Sequence, residues 1–157
     1  MLDRKRADRL VLRIANRTPE MNKVADGVSK FGADHGLPSG ILNALNVALD
    51  EILSNTIRYG YVDDYPHEIT VTLFLKAGEL VAEVQDDGIA FDPLAAPAPD
   101  LSGGLHDRKL GGLGVHLVRS LMDGVEYTRK GTSNRLRLVK RLGTHGSTHG
   151  DPRRASD

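Results

Sequence analysis

The stretch that decides the fold runs from residue 41 to residue 60 and reads ILNALNVALDEILSNTIRYG. Glu51 and Asn55 are four residues apart, so on a helix they lie one above the other. Ala44 and Ala48 share their face and leave room beside the carboxylate and the carboxamide. At 100° per residue, the large aliphatic side chains fall on a stripe nearly opposite this face: Leu42, Leu45, Leu49, Ile52 and Leu53.

The Glu51 and Asn55 pair has two interpretations from the residues alone. A carboxylate can act as a general base, and a carboxamide can supply an oxygen ligand to a hard cation. An isolated Glu-x-x-x-Asn pair is also typical of a solvated helix face. The choice between a site and a plain surface depends on the motifs that follow in the chain.

Composition excludes several classes of protein. The chain has 157 residues, no cysteine, and 21 basic against 21 acidic residues. Its length suits one domain, and its balanced charge offers no basis for binding nucleic acid or an anionic membrane. Without cysteine there is no disulfide framework and no thiolate chemistry. No signal peptide or membrane-spanning run is visible, so we expect a cytoplasmic protein without nucleic-acid or membrane partners.

Strand patterns flank the central helix. Apolar and polar residues alternate at 9–15, which predicts a half-buried strand, and again at 69–86, which predicts a hairpin. A closing hairpin is predicted at 125–142. Because strands and helices segregate, we expect an α+β fold: a two-layer α/β sandwich with a mixed, mostly antiparallel sheet and helices on one face. This domain covers residues 1–142, and residues 143–157 are predicted to form a disordered tail.

Two further helices are predicted from their terminal residues. Thr18 is expected to be the N-cap of a helix with Pro19 in its first position. Gly36 is expected to end that helix as a C′ glycine. A later helix begins in the segment 111–114 and continues to about Met122.

Two glycine segments flank the aperiodic stretch 93–111. Gly88 follows Asp86 at the end of a strand, where a tight turn would let a flat ligand reach the carboxylate. Gly112 and Gly114 open a helix, where free N–H groups and the helix dipole favour phosphate. Taken singly, each segment is equally compatible with a structural role, as a capped turn or a packing position.

In order and spacing, the three sites resemble the ATPase superfamily of gyrase, histidine kinases, heat-shock chaperones and mismatch-repair proteins. The resemblance covers about residues 8–142. The segment 51–61 is similar to the N box, VQDDGIAFDP at 84–93 to the first glycine box, and GGLGVHLV at 111–118 to the second. The short chain and its Phe-Asp-Pro sequence resemble one branch, the anti-sigma-factor serine kinases of bacterial partner-switching modules.

The resemblance implies ATP and Mg²⁺ as cofactors and assigns roles in the first two motifs. Glu51 would be the general base that accepts a proton from an attacking hydroxyl. Asn55 would be a Mg²⁺ ligand. Asp86 would accept a hydrogen bond from the adenine amino group, and Gly88 would give the base access. These are positioning groups, which phosphoryl transfer needs more than covalent chemistry.

The resemblance also implies a phosphate site and a lid. The lid would span residues 94–110 and would include Arg108 and Lys109 among the nucleotide-binding residues. On the last strand, Asn134 and Arg135 stand where the family often has threonine near adenine. The backbone N–H groups at the phosphates would come from three glycines: Gly111, Gly112 and Gly114.

The function implied by the resemblance is an ATP- and Mg²⁺-dependent serine/threonine protein kinase that acts as an anti-sigma regulatory factor. Its partners would be a small antagonist (anti-anti-sigma) protein and, optionally, a sigma factor, with a homodimer as one option for assembly. The alternative is a regulatory nucleotide-binding module with little or no kinase activity. Glu51 favours the enzyme, whereas Leu110, next to the second glycine box where the family commonly has a lid arginine, favours the module.

Overall fold

The computed structural model describes residues 8–90 and 112–143. The predicted tail lies outside the described residues except for residue 143, so the domain boundary stays a prediction. Among the described helices, none combines the length and apolarity needed to cross a membrane. The elements of these two ranges are β1 (Arg9–Ala15), a 3₁₀ turn (Thr18–Glu20), α1 (Met21–Asp34), α2 (Ser39–Tyr59), β2 (Glu68–Lys76), β3 (Glu79–Asp86), α3 (Gly112–Leu121), β4 (Gly124–Lys130) and β5 (Ser133–Arg141).

The described strands form one sheet in the order β1-β2-β3-β5-β4. Every described pairing is antiparallel, and the two predicted hairpins are present as β2–β3 and β4–β5. Val71 pairs with Val84, and Leu73 pairs with Ala82, so the alternating residues of β2 and β3 share one face. The predicted α+β class with an antiparallel sheet and helices is therefore confirmed.

The core lies between the sheet and the helices. Ile69, Val71 and Leu73 of β2 are fully buried, and Leu138 of β5 is buried with them. The helices contribute side chains at the predicted three- and four-residue spacing: Val24, Val28 and Phe31 from α1, and Leu45, Leu49, Ile52 and Leu53 from α2.

The central helix α2 is covered on more than one side. It packs against α1 and also against α3. Ala48, expected to leave open space beside Glu51, is instead fully buried in the core. Because two helices flank α2, its small residues are used for close packing rather than for an open face, and this expectation was wrong.

The expected N-cap at Thr18 is also wrong, whereas the predicted helix end at Gly36 is confirmed. Thr18 lies inside the 3₁₀ turn, where no side-chain cap forms, and α1 begins only at Met21. The 3₁₀ turn satisfies its own N–H groups, since Glu20 N–H donates to the Arg17 carbonyl at 3.0 Å. Gly36 has a φ of +61° and closes α1 with the hydrogen bonds of a Schellman motif.

Candidate active site

Glu51 and Asn55 face the start of α3. Both side chains are half-buried on α2. A Cβ atom placed on Gly114 would lie 2.4 Å from Oε2 of Glu51 and 3.6 Å from Nδ2 of Asn55. The first and third motifs therefore meet, and a side chain at position 114 would displace the Glu51 carboxylate from its place beside α3. This pair is therefore not a plain solvated helix face, because both side chains are half-buried beside Gly114.

The second motif, which contains Asp86 and Gly88, is hydrogen-bonded to Gly60 at the end of α2. The carboxylate oxygen Oδ1 of Asp86 accepts a hydrogen bond from Gly88 N–H at 2.8 Å, which forms a tight turn directly after β3. Ile89 N–H donates to the Gly60 carbonyl at 2.7 Å. A Cβ atom on Gly88 would lie 2.4 Å from that same Gly60 oxygen. Gly88 is therefore required for the close approach of two backbones, which holds Asp86 beside α2.

A pocket connects the first two motifs. It contains about 560 Å³ of empty space, a volume that includes open solvent. Glu51 is one helical turn away from Asn55, beside Gly114 and outside this lining. The lining is largely apolar, with a few polar groups: Ile52, Asn55, Thr56, Tyr59, Gly60, Val84, Asp86, Ile89, Val115, Tyr127, Asn134 and Leu136.

Asn134 is the buried polar residue of the site. It is 6% exposed, and no other polar or charged residue in the described ranges is classed as buried. Its Nδ2 donates to Oδ1 of Asp86 at 2.9 Å. The sequence analysis noted Asn134 only as a replacement for threonine and gave it no role. Its alternation with Leu136 and Leu138 was the available signal, because it places an amide on the buried face of β5.

A histidine bridges two carboxylates next to Asp86. His67 Nε2 lies 2.7 Å from Asp63, and its Nδ1 lies 3.1 Å from Asp87. The hydrogen bond to Asp63, and next that to Asp87, raise the pKa of His67, while the His67 bond lowers the pKa of Asp63. The ring stacks on Tyr61 at 4.4 Å. Burial, then the charges of Asp86 and Asp87, raise the pKa of Tyr61, so this phenol stays neutral.

The structure brings together most, not all, of the predicted site. Glu51, Asn55 and Gly114 meet at the α2–α3 contact, and Asp86 shares the pocket with Asn55. Gly112 is the first residue of α3, as expected of a phosphate-binding N-terminus. The remaining predicted residues lie outside the described ranges: Arg108, Lys109, Gly111 and the other residues of the 94–110 segment.

The residues at the site fit a cation that takes most of its ligands from water and from a bound phosphate. In the described part of the chain, no three His, Cys, Asp or Glu residues cluster as a metal cage. Asn55 lines the pocket, with Nδ2 3.6 Å from a Cβ placed on Gly114, and its amide group also carries one hard oxygen. Such a site suits Mg²⁺, which keeps several waters and is held mainly through substrate phosphates.

Curated relatives of the chain carry kinase and anti-sigma names. The serine/threonine-protein kinase BtrW of Bordetella bronchiseptica is 33% identical over 95 residues, which cover 60% of this chain and 67% of that protein. The serine-protein kinase RsbW of Listeria monocytogenes is 24% identical over 131 residues, or 80% and 83% of the two chains. An anti-sigma F factor of Oceanobacillus iheyensis is 23% identical over 59% of this chain and 65% of its own. The predicted resemblance is confirmed.

The fold and a family model agree with these relatives. The crystal structure of the RsbU and RsbW domains from Mycobacterium tuberculosis superposes with a TM-score of 0.62 at 16% identity. It covers 85% of this chain and 31% of that longer one, so the likeness concerns the fold. The model of the histidine kinase-like ATPase domain matches residues 14–140, a span that contains all three motifs. The chain belongs to the histidine kinase-like ATPase domain family.

Proposed function

We propose that this protein is an ATP- and Mg²⁺-dependent serine/threonine protein kinase that acts as an anti-sigma regulatory factor. The observation that carries the proposal is the contact between Gly114 and Glu51, which places a carboxylate at the start of the helix expected to hold phosphate. A carboxylate beside a phosphate site is unfavourable for binding alone, because the two groups repel each other. It becomes useful when it accepts a proton during transfer.

The nucleotide base would occupy the pocket between α2 and the sheet. Ile52, Val84 and Leu136 provide apolar walls for a flat ring, and Asp86 provides a hydrogen-bond acceptor at one edge. From there the phosphates would extend toward Gly112 and the N-terminal end of α3, where backbone N–H groups and the helix dipole stabilise negative charge.

Asn55 lines the pocket and lies close to the start of α3, so it would hold a cation that binds together with the phosphates. Its side-chain oxygen would supply one ligand, with phosphate oxygens and waters supplying the rest. When bound, Mg²⁺ neutralises charge that develops on the transferred phosphoryl group. The protein's part is to hold the ion in place through Asn55.

Glu51 would act on the acceptor. A serine hydroxyl oxygen of the protein substrate attacks the γ-phosphorus, the bond to the β,γ-bridging oxygen breaks, and ADP leaves. The hydroxyl proton passes to the Glu51 carboxylate, which is half-buried beside Gly114. Glu51 is therefore the catalytic residue of this proposal, and the glycines of α3 are binding groups.

The names of the relatives support the partners that we propose. Because relatives of this chain are named as serine kinases and as an anti-sigma factor, the acceptor would be a small antagonist protein with an exposed serine. A sigma factor would be the second partner, and a homodimer is the assembly we propose. ATP and both partners place this activity in the cytoplasm.

The test combines binding with transfer. Titration with Mg·ATP should give saturable binding, and labelled γ-phosphate should then appear on a serine of a small antagonist protein. A chain that binds Mg·ATP but transfers no phosphate to any antagonist would be the regulatory nucleotide-binding module instead. A chain that binds no nucleotide would contradict both functions.

A further inference from the structure

Asn134 is held at the centre of a hydrogen-bond network behind Asp86. Its amide nitrogen Nδ2 donates to Oδ1 of Asp86 and to the Ile89 carbonyl, each at 2.9 Å, with a longer contact of 3.3 Å to the Gly88 carbonyl. All three partners are acceptors. The amide therefore links the carboxylate to the turn that follows it.

The other end of the amide fixes its orientation. Oδ1 of Asn134 accepts from the Tyr127 hydroxyl at 2.5 Å and from Nη1 of Arg129 at 2.8 Å. A guanidinium group can only donate, so it must face the amide oxygen and not the amide nitrogen. The arrangement therefore leaves a single chemically consistent orientation, in which the NH₂ group points at Asp86.

This network determines which oxygen of Asp86 meets a ligand. Among the described residues, both hydrogen bonds to the carboxylate end on Oδ1, from Gly88 N–H and from Asn134 Nδ2. A carboxylate oxygen accepts hydrogen bonds, and here both donors are directed to the same oxygen. Oδ2 is the oxygen left to face the pocket that Asp86 and Asn134 both line.

We propose that Asn134 is a positioning residue that makes the pocket select a 6-aminopurine over a 6-oxopurine. The inference rests on the proposed nucleotide-binding function. By occupying Oδ1 and leaving Oδ2 for the base, Asn134 favours an exocyclic amino group, which donates. A 6-oxo group is itself an acceptor, and a fixed carboxylate repels it. A site built for a hydrogen bond rejects analogues that cannot form it more strongly than an apolar pocket does.

The test compares ATP with inosine triphosphate, which carries a 6-oxo group, on wild type and Asn134→Asp. The variant replaces the donating NH₂ by a second carboxylate oxygen of similar size, next to Asp86. The new oxygen cannot donate to Oδ1 of Asp86, so the Asp86 carboxylate is no longer held in one orientation. We expect the ATP preference to fall about tenfold or more, since a hydrogen bond to a charged group is lost.

Asn43→Asp is the matched control, because it makes the same change at an exposed position of α2. It should leave the ATP preference as in wild type. If circular dichroism shows that Asn134→Asp is unfolded, the same comparison is made with Asn134→Ser. This variant removes the NH₂ donor without adding charge. The preference should fall in that variant too.

The outcomes separate this inference from the proposed function. An unchanged preference in the Asn134 variants, or an equal loss of affinity for both nucleotides, would overturn the positioning role. A wild-type protein that binds neither nucleotide would overturn the proposed function itself. A wild-type protein that prefers ATP, with a reduced preference in the variants, supports both.

Discussion

The Glu51 carboxylate occupies the space that a side chain on Gly114 would need. A Cβ atom at position 114 would come within 2.4 Å of Oε2. The obstructing atom is the end of a flexible side chain and not backbone, so Glu51 can move aside if a methyl group is introduced. The residue at position 114 therefore determines where the Glu51 carboxylate, the proposed general base, is placed.

Gly114→Ala should separate stability from catalysis. Alanine favours a helix over glycine by about 1 kcal/mol, and this gain offsets the cost of moving Glu51, so the free energy of unfolding should change little. Displacement of Glu51 should lower the rate of phosphotransfer, on the order of 10²-fold, as misplacement by about 1 Å can do. Gly40→Ala is the control, since no heavy atom lies within 4 Å of a Cβ there. An unaltered single-turnover rate in Gly114→Ala would count against this contact.

His67 should make the stability of the protein depend on pH. Its pKa is raised above 6.5 by Asp63 and then Asp87, so its stabilisation is complete below pH 6.5. It is lost as the pH rises through the raised value. The lowered pKa of Asp63 changes stability only below about pH 3.8 and is constant in this window.

The measurement is the thermal midpoint from pH 5.5 to pH 8. We expect the midpoint of the wild type to fall over this range more than that of His67→Gln. His116→Gln, at an exposed position on α3, should keep the wild-type slope. Parallel curves for wild type and His67→Gln would mean that the two carboxylates do not stabilise the protonated ring.

Asn55→Ala should weaken Mg·ATP binding more than it affects the fold. A lost metal ligand should reduce affinity at least as much as a lost outer-shell partner, about 10–100-fold. Calorimetry with and without Mg²⁺ provides the measurement, and the melting temperature without ligand should stay close to wild type. Asn43→Ala, exposed on the same helix, is the control. Equal Mg²⁺ dependence in wild type and Asn55→Ala would remove Asn55 from the metal site.

The sequence predicts those helices and strands in which apolar residues recur at a regular spacing because one face of the element is buried. The alternation in β2 and β3 predicted the hairpin, because a one-residue slip would expose Val71 and Leu73. The order of the three motifs predicted the family. Glu51, Asp86 and Gly114 nevertheless come from distant parts of the chain. Their meeting in space depends on packing, which the order alone does not describe.

The features that were missed arise from contacts between distant residues. Val81 alternates with Leu80 and Ala82 and so lies on the opposite face of β3, yet it is 2% exposed, with Phe74 opposite it on β2. The guanidinium groups of Arg9 and Arg137 lie over the Phe74 ring, at 4.9 Å and 5.9 Å from its centre. Long basic side chains cover apolar surface in this way, and no local pattern encodes it.

The role of Asn134 was missed for a similar reason. Its five hydrogen-bond partners come from the ends of β3 and β4 and from the turn at Gly88. A resemblance to a family that often has threonine in this region marked the position as different without saying what the difference does. Only the three-dimensional structure shows that both the nitrogen and the oxygen of this buried amide are hydrogen-bonded.

The central claim is that Glu51 accepts a proton during phosphotransfer, and Glu51→Gln tests it most directly. Glutamine keeps the shape of the side chain but cannot accept the proton, and general-base catalysis contributes about 10²–10⁴-fold. Asp50→Asn, the same change at the exposed neighbouring residue, is the control. The measurement is the single-turnover rate of phosphate transfer to an antagonist serine, with Mg·ATP affinity measured on the same samples. We predict that only Glu51→Gln slows transfer by this factor while its affinity is maintained, and transfer at the wild-type rate would contradict the account.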